Sequence, residues 1–212
     1  MKKIAMITGA TSGIGQACAR KFAQGGYDII ITGRKANVLE TMKKELEQTG
    51  AEVQTLCFDV RNREACHEAI ASLEGRWAEI DVLVNNAGLA LGLDKEYEGR
   101  FDDWDTMVDT NIKGLLNMTR MIVPGMVERN RGHVINVGSV AGDAAYANGN
   151  VYCATKAAVK ALSDGLRIDV AESAVRVTNL KPGLVWWRRT SAWSVSMATR
   201  QRLTTYIKVS SR

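Results

Sequence analysis

Short apolar runs alternate along this chain with longer segments of helical period. Ile4-Ala5-Met6-Ile7, Ile29-Ile30-Ile31, Leu56-Cys57-Phe58, Val82-Leu83-Val84, Val134-Ile135-Asn136-Val137 and Val175-Arg176-Val177 predict six strands, at 2–8, 27–32, 54–58, 81–84, 133–137 and 175–180. Between them lie helical patterns. One opens at a glycine-rich turn and runs to about Gln24, and a second, at 37–49, carries Val38, Leu39, Met42 and Leu46 at helical spacing. A third spans 61–77, and a long fourth, at 101–127, has Trp104, Met107, Val108, Ile112, Leu115, Leu116 and Met118 as its stripe. The last starts near Tyr152 and reaches about Ala171. Strand and helix alternating about every thirty residues predict an α/β fold, a doubly wound parallel sheet with helices on both faces. Ligands of such sheets bind beyond the C-terminal ends of the strands.

The chain's 212 residues suit one domain with a sizeable core. No run is long enough to span a bilayer, and the Met1-Lys2-Lys3 start leads into an apolar run too short for a signal peptide. Cys18, Cys57, Cys66 and Cys153 show no ligand or C-x-x-C spacing, so reduced thiols and a cytoplasmic location are expected. His67 and His133 are isolated, and no metal site is expected. The net charge of +5 would suit nucleic acid, but its distribution argues otherwise. Six of the 28 basic residues and none of the 23 acidic ones fall within 186–212, so the rest is close to neutral. Neither a nucleic-acid nor a membrane partner is expected.

The candidate chemistry sits at strand ends. Thr8-Gly9-Ala10-Thr11-Ser12-Gly13-Ile14-Gly15 joins the first strand to its helix, where glycines permit a tight turn and N–H groups face a pyrophosphate. After the second strand come Gly33, Arg34 and Lys35, whose room and two cations suit a 2′-phosphate, hence NADP over NAD. Asp59-Val60 ends the third strand, where a carboxylate could meet an adenine amine. Asn111 interrupts an apolar stripe and reads both as a kink residue and as a catalytic candidate. Tyr152 and Lys156, four apart, share one helix face, and an ammonium there is expected to lower the phenol's pKa. Ser139, beyond the fifth strand, could bond the oxygen that exchanges that proton.

Thr8-Gly-x-x-x-Gly-x-Gly15, Asn85-Asn86-Ala87-Gly88, Asn111, Ser139, Tyr152-x-x-x-Lys156 and Pro182-Gly183 together resemble the signature set of the short-chain dehydrogenase/reductase superfamily, over residues 1–185. Gly88-Leu89-Ala90-Leu91-Gly92 and Pro124-Gly125-Met126 look like the bacterial NADP-dependent 3-hydroxy acid dehydrogenases, which oxidise L-allo-threonine and serine and reduce malonic semialdehyde. The resemblance implies a Rossmann-type sheet, an NADP cofactor, a small hydroxy acid or semialdehyde substrate and a homotetramer. It implies that Tyr152 moves the proton, Lys156 holds the nicotinamide ribose, Ser139 steadies the substrate and Asn111 fixes a relay water. Gly9, Thr11, Ser12, Gly13, Ile14 and Gly15 would line the pyrophosphate turn. Arg34 and Lys35 would hold the 2′-phosphate, with Asp59, Val60, Asn86, Ala87, Gly88, Pro182, Gly183 and Val185 bordering the remainder. A non-catalytic NADP binder and another ketoreductase of the superfamily are the alternatives.

Residues 186–212 depart from the family pattern. They hold three of the five tryptophans and no acid, where relatives continue into a substrate lid, a helix and a last strand. Codons permitted for this tail allow, one base out of register, a translation like that lid. The expectation is a frameshift near Val185, a sheet lacking lid and last strand, and weak or no turnover.

Overall fold

The computed structural model describes residues 1–183; Val185 and the 186–212 tail lie outside the described residues. Strands β1 (Ile4–Ile7), β2 (Asp28–Gly33), β3 (Val53–Cys57), β4 (Val82–Asn85), β5 (Gly132–Val137) and β6 (Val175–Leu180) form one sheet in the order β3-β2-β1-β4-β5-β6. All five pairings are parallel, with Met6 opposite Ile30 on one side and Leu83 on the other. Successive strands are added outward from β1 toward β3 and then, from β4, toward the opposite edge, and such a switch point in strand order opens a crevice at the strand C-termini.

Alternate strand residues feed opposite faces, as the strand period of two requires. Met6, Ile30, Leu83 and Val134 pack under α3 (Arg63–Ala71) and the long helical stretch that supplies Met118, Ile122 and Met126. Ala5, Ile7, Ile29, Ile31, Val82 and Val84 pack under α1 (Gly13–Gln24) and α2 (Ala36–Glu47), which give Ala19, Ala23, Leu39, Met42 and Leu46. Each fully buried Leu, Ile or Met is worth about 1.5–3 kcal/mol relative to an exposed one.

Two helical expectations change. The 61–77 pattern ends with α3 at Ala71 and resumes as a 3₁₀ turn, Gly75–Ala78, with Glu74 extended between them at φ −108°, ψ 155°, outside the helical region. The 101–127 pattern is three pieces: α4 (Phe101–Val108), a π turn at Asp109–Gly114 and α5 (Leu115–Glu128). The π turn seats Gly114 against the end of β3, where an added Cβ would come within 2.6 Å of Val60 Cγ2. The last helix, α6 (Asn150–Asp169), precedes β6.

A polar ladder crosses the core below the strand ends. Asn85 Nδ2 donates to Asn136 Oδ1 at 3.0 Å, Asn136 Nδ2 donates to Ser163 Oγ at 2.9 Å, and Ser163 Oγ donates to Val159 O at 2.6 Å. It joins β4, β5 and α6 through side chains that are all buried. Among the described residues no helix is long and apolar enough to cross a membrane.

Candidate active site

A cleft of about 510 Å³ lies beyond the strand C-termini. Its floor is the turn from β1 to α1. Gly9 and Gly13 hold φ +63° and +57°, a region that penalises side chains. A Cβ on Gly9 would sit 2.8 Å from Ala87 Cα, and one on Gly15 would run into the Asn86 amide and lie 2.5 Å from Gly9 O. Asn86 itself staples this turn to the β4 end, donating from Nδ2 to Thr8 O at 2.8 Å and Gly9 O at 3.1 Å. Ser12 makes no side-chain cap at the start of α1. The first N–H groups of that helix therefore keep their affinity for an anion.

Thr11, Ser12, Gly13 and Ile14 line the cleft beside Gly9, whereas Gly15 acts from behind through Asn86. At the β2 end of the cleft, Thr11 packs so closely on Gly33 that a Cβ there would meet its methyl at 2.7 Å. Arg34 lines the cleft with its side chain 61% exposed, 3.6 Å from the Asp59 carboxylate. Burial pushes the Asp59 carboxyl up, but hydrogen bonds from Arg61 and the Arg61 and Arg34 charges outweigh it and hold the pKa below the ordinary value. Arg61, at 2.7 Å from Asp59, is a partner the sequence reading missed; the Asp-x-Arg spacing was its signal. Lys35, the N-cap residue just before α2, is exposed and is not among the lining residues. Val60, Asn86, Ala87, Gly88, Pro182 and Gly183 do line the cleft, joined by Phe58, Leu89, Ala90 and Thr110, which the sequence reading left out.

The opposite end of the cleft is built on the connection that leaves β5 and on α6, to which it leads. Ser139 caps a short 3₁₀ turn, its Oγ accepting from Ala141 N at 3.1 Å. Gly138 N donates to Leu180 O at 2.8 Å and Val140 N to Pro182 O at 3.2 Å, pinning this loop to the end of β6. α6 then brings Tyr152 and Lys156 to the same wall as Ser139. Lys156 is only 7% exposed, and its Nζ donates to Val137 O at 2.8 Å while lying 5.8 Å from the Tyr152 ring centroid. Burial brings the Lys156 ammonium down from 10.5 to about 8. The expected lowering of the Tyr152 pKa is corrected here. Burial raises it above the ordinary phenol value, and the Ser139 hydroxyl, not Lys156, is the group that pulls it back. The charge effect that the spacing suggested loses to desolvation, which no spacing reveals.

Asn111 sits in the π turn, 2% exposed, and does not line the cleft. Its Oδ1 accepts from Leu89 N at 2.9 Å; its Nδ2 donates to Leu89 O at 2.9 Å and Thr155 Oγ1 at 3.0 Å. The approach to Lys156 runs past Gly88, whose added Cβ would sit 3.0 Å from Asn111 Oδ1 and 3.6 Å from Lys156 Nζ. Beyond Tyr152 a smaller recess of about 40 Å³ continues outward between Leu91, Trp104, Met107 and Tyr146. Among the described residues no group of three His, Cys, Asp or Glu side chains is placed to hold a metal.

Residues 3–194 match the family model described as short chain dehydrogenase. The chain is 55% identical over 182 residues to the NADP-dependent 3-hydroxy acid dehydrogenase of Salmonella typhi, a match covering 86% of this chain and 72% of that protein. It is 48% identical over 179 residues to the serine 3-dehydrogenase of Rhizobium radiobacter, covering 84% and 70%. Among solved structures it resembles the closed form of a serine dehydrogenase complexed with NADP+, with TM-score 0.82, 52% identity, and 86% and 73% of the two chains covered. Serine dehydrogenase from Escherichia coli gives TM-score 0.82 at 51% identity, covering 86% and 83%.

Proposed function

The chain belongs to the short-chain dehydrogenase family, and on that premise we propose that it moves a hydride between NADP and a small 3-hydroxy acid such as serine, L-allo-threonine or 3-hydroxypropionate. The observation that carries this reading is the meeting of Ser139, Tyr152 and Lys156 on one wall of a cleft floored by the glycine turn. The residues present suit a dinucleotide. An α1 N-terminus without a side-chain cap, two glycines at positive φ and a glycine at the β2 end leave backbone for a pyrophosphate and room for a ribose. Arg34, loosely paired and mostly exposed, supplies charge for a 2′-phosphate.

NADP supplies or accepts the hydride when bound. The rest falls to the chain. Tyr152 gives its phenolic proton to the carbonyl oxygen in reduction and takes it back in oxidation. Ser139, on the same wall of the cleft as Tyr152, would hold that oxygen within reach. Lys156, with an ammonium brought to about 8, can replenish the proton near neutral pH. Leu89, Ala90 and the recess toward Tyr146 would receive the remainder of a small substrate.

The test is direct. Purified protein should oxidise NADPH with malonic semialdehyde, and reduce NADP with serine, in preference to NADH and NAD. Absence of NADPH binding, or a preference for NADH, would overturn the reading. A second reading, an NADP-binding chain with little turnover, draws on the 186–212 segment, which carries basic residues and tryptophans and no acid. Cofactor titration and turnover measured on one preparation separate the two. As to assembly, the reading includes a homotetramer joined through the helices that bear Asn111 and Tyr152, which light scattering checks.

A further inference from the structure

Thr155 is 1% exposed, lies one residue before Lys156, and has no part in the chemistry described so far. Its hydroxyl is nonetheless fully committed. Thr155 Oγ1 donates its one proton to Tyr152 O at 2.7 Å and accepts from Asn111 Nδ2 at 3.0 Å. The second Asn111 amide hydrogen goes to Leu89 O, and Asn111 Oδ1 receives Leu89 N, each at 2.9 Å. Three segments far apart in sequence thus meet at the Asn111 amide: the Leu89 loop after β4, the π turn itself and, through Thr155, the N-terminal part of α6. The direction of each bond is forced. Once the threonine proton points at Tyr152 O, only an N–H can face it from the other side, so the Asn111 amide has one orientation. That orientation sets its oxygen toward Leu89 N. Leu89 lines the cleft, and the carbonyl that Thr155 holds belongs to Tyr152.

We propose that Thr155 is a positioning residue whose hydroxyl couples the Leu89 wall of the cleft to the backbone of Tyr152 through Asn111. The proposal rests on the catalytic reading of Tyr152 for its importance, but the coupling itself can be measured without turnover. Valine at this position keeps the shape and loses the hydroxyl, whereas serine keeps the hydroxyl and loses the methyl. With the hydroxyl gone, one buried Asn111 N–H loses its acceptor, and the pair with Leu89 loosens.

The experiment is amide hydrogen exchange on wild-type protein and on Thr155→Val and Thr155→Ser. Exchange at Leu89 N is expected to quicken about tenfold in Thr155→Val, the size of one lost hydrogen bond, and to stay within about threefold of wild type in Thr155→Ser. Exchange at Leu83, inside β4, should be unchanged in both. Unchanged Leu89 exchange in Thr155→Val overturns the proposal. So does equal loss in the serine form, since the methyl would then be the active part. Should the valine form fail to fold, Thr155→Ala gives the same comparison with serine. In the same preparations kcat should fall about tenfold in the hydroxyl-free form and recover in serine, with the KM for NADPH unmoved. Recovery of exchange without recovery of kcat would leave the coupling standing and remove its catalytic role, so the two failures are distinguishable.

Discussion

Replacing Lys156 by methionine should make this protein more stable while ending its chemistry. The ammonium is 7% exposed, and burial brings it from 10.5 to about 8. That displacement corresponds to about 3 kcal/mol held against the charged form in the folded chain. Methionine removes this cost and nearly fills the volume, but Val137 O loses its donor, a loss of about 1 kcal/mol. The net gain is about 2 kcal/mol at pH 7, which for a chain of this size raises Tm by about 4–8 °C. The folded value lies below the unfolded one, so between about pH 8 and 10.5 the unfolded chain binds more protons. Wild-type stability therefore rises with pH across that window, and the advantage of the variant, complete below about 8, closes toward 10.5. Urea denaturation of both proteins without cofactor, at pH 7 and pH 10, measures this. A variant no more stable at pH 7, or a gap that persists at pH 10, would refute the reasoning that burial sets the Lys156 pKa.

Other substitutions test the remaining parts of the site. Tyr152→Phe should lower turnover by about 10²–10⁴-fold, the range for a general acid–base group, while NADPH affinity in a fluorescence titration changes little. Ser139→Ala removes the hydrogen bond that lowers the Tyr152 pKa, so the rise of the oxidation rate with pH should move to higher pH; a profile left in place counts against the contact. Gly15→Ala drives a methyl into Asn86 and Gly9 O and should cost more than tenfold in NADPH affinity through the distorted turn. Arg34→Leu should narrow the preference for NADPH over NADH by about tenfold, as expected for one charge-assisted phosphate contact, with NADH kinetics unchanged.

What was legible in the sequence was local. Apolar runs of three or four residues, most of them ended by glycine or asparagine, gave strands whose bounds moved by at most two positions, since both patterns are properties of the chain itself. The doubly wound sheet followed from their alternation. Asn111, read as a kink residue, does lie in the π turn, but the π register itself was not legible: it depends on Gly114 meeting Val60 and on Asn111 reaching Leu89, contacts between segments far apart in the chain. The break after α3 was not legible either: the chain leaves the helix at Ser72-Leu73-Glu74, which holds neither glycine nor proline. In the site, residue types and spacing indicated which groups meet, yet not which effect governs them. Tyr152 illustrates this, since its sequence neighbour Lys156 suggested a lowered pKa and its burial raised it. Arg61 and Thr155 escaped notice because each acts through a partner, Asp59 and Asn111, that was itself read as acting alone.

The amide and hydroxyl ladder from Asn85 through Asn136 to Ser163 bears on how the chain avoids folding wrongly. Parallel strands of nearly uniform aliphatic residues tolerate a two-residue slip, because the same kinds of side chain return to the same face. Three polar rungs remove that degeneracy. A β5 slipped by two residues would set Asn85 opposite Val134 in one direction, or Asn136 opposite Leu83 in the other, at about 1–3 kcal/mol for each unmet group. Misaligned intermediates are thus proofread by the core itself, before any ligand arrives to reward the correct one.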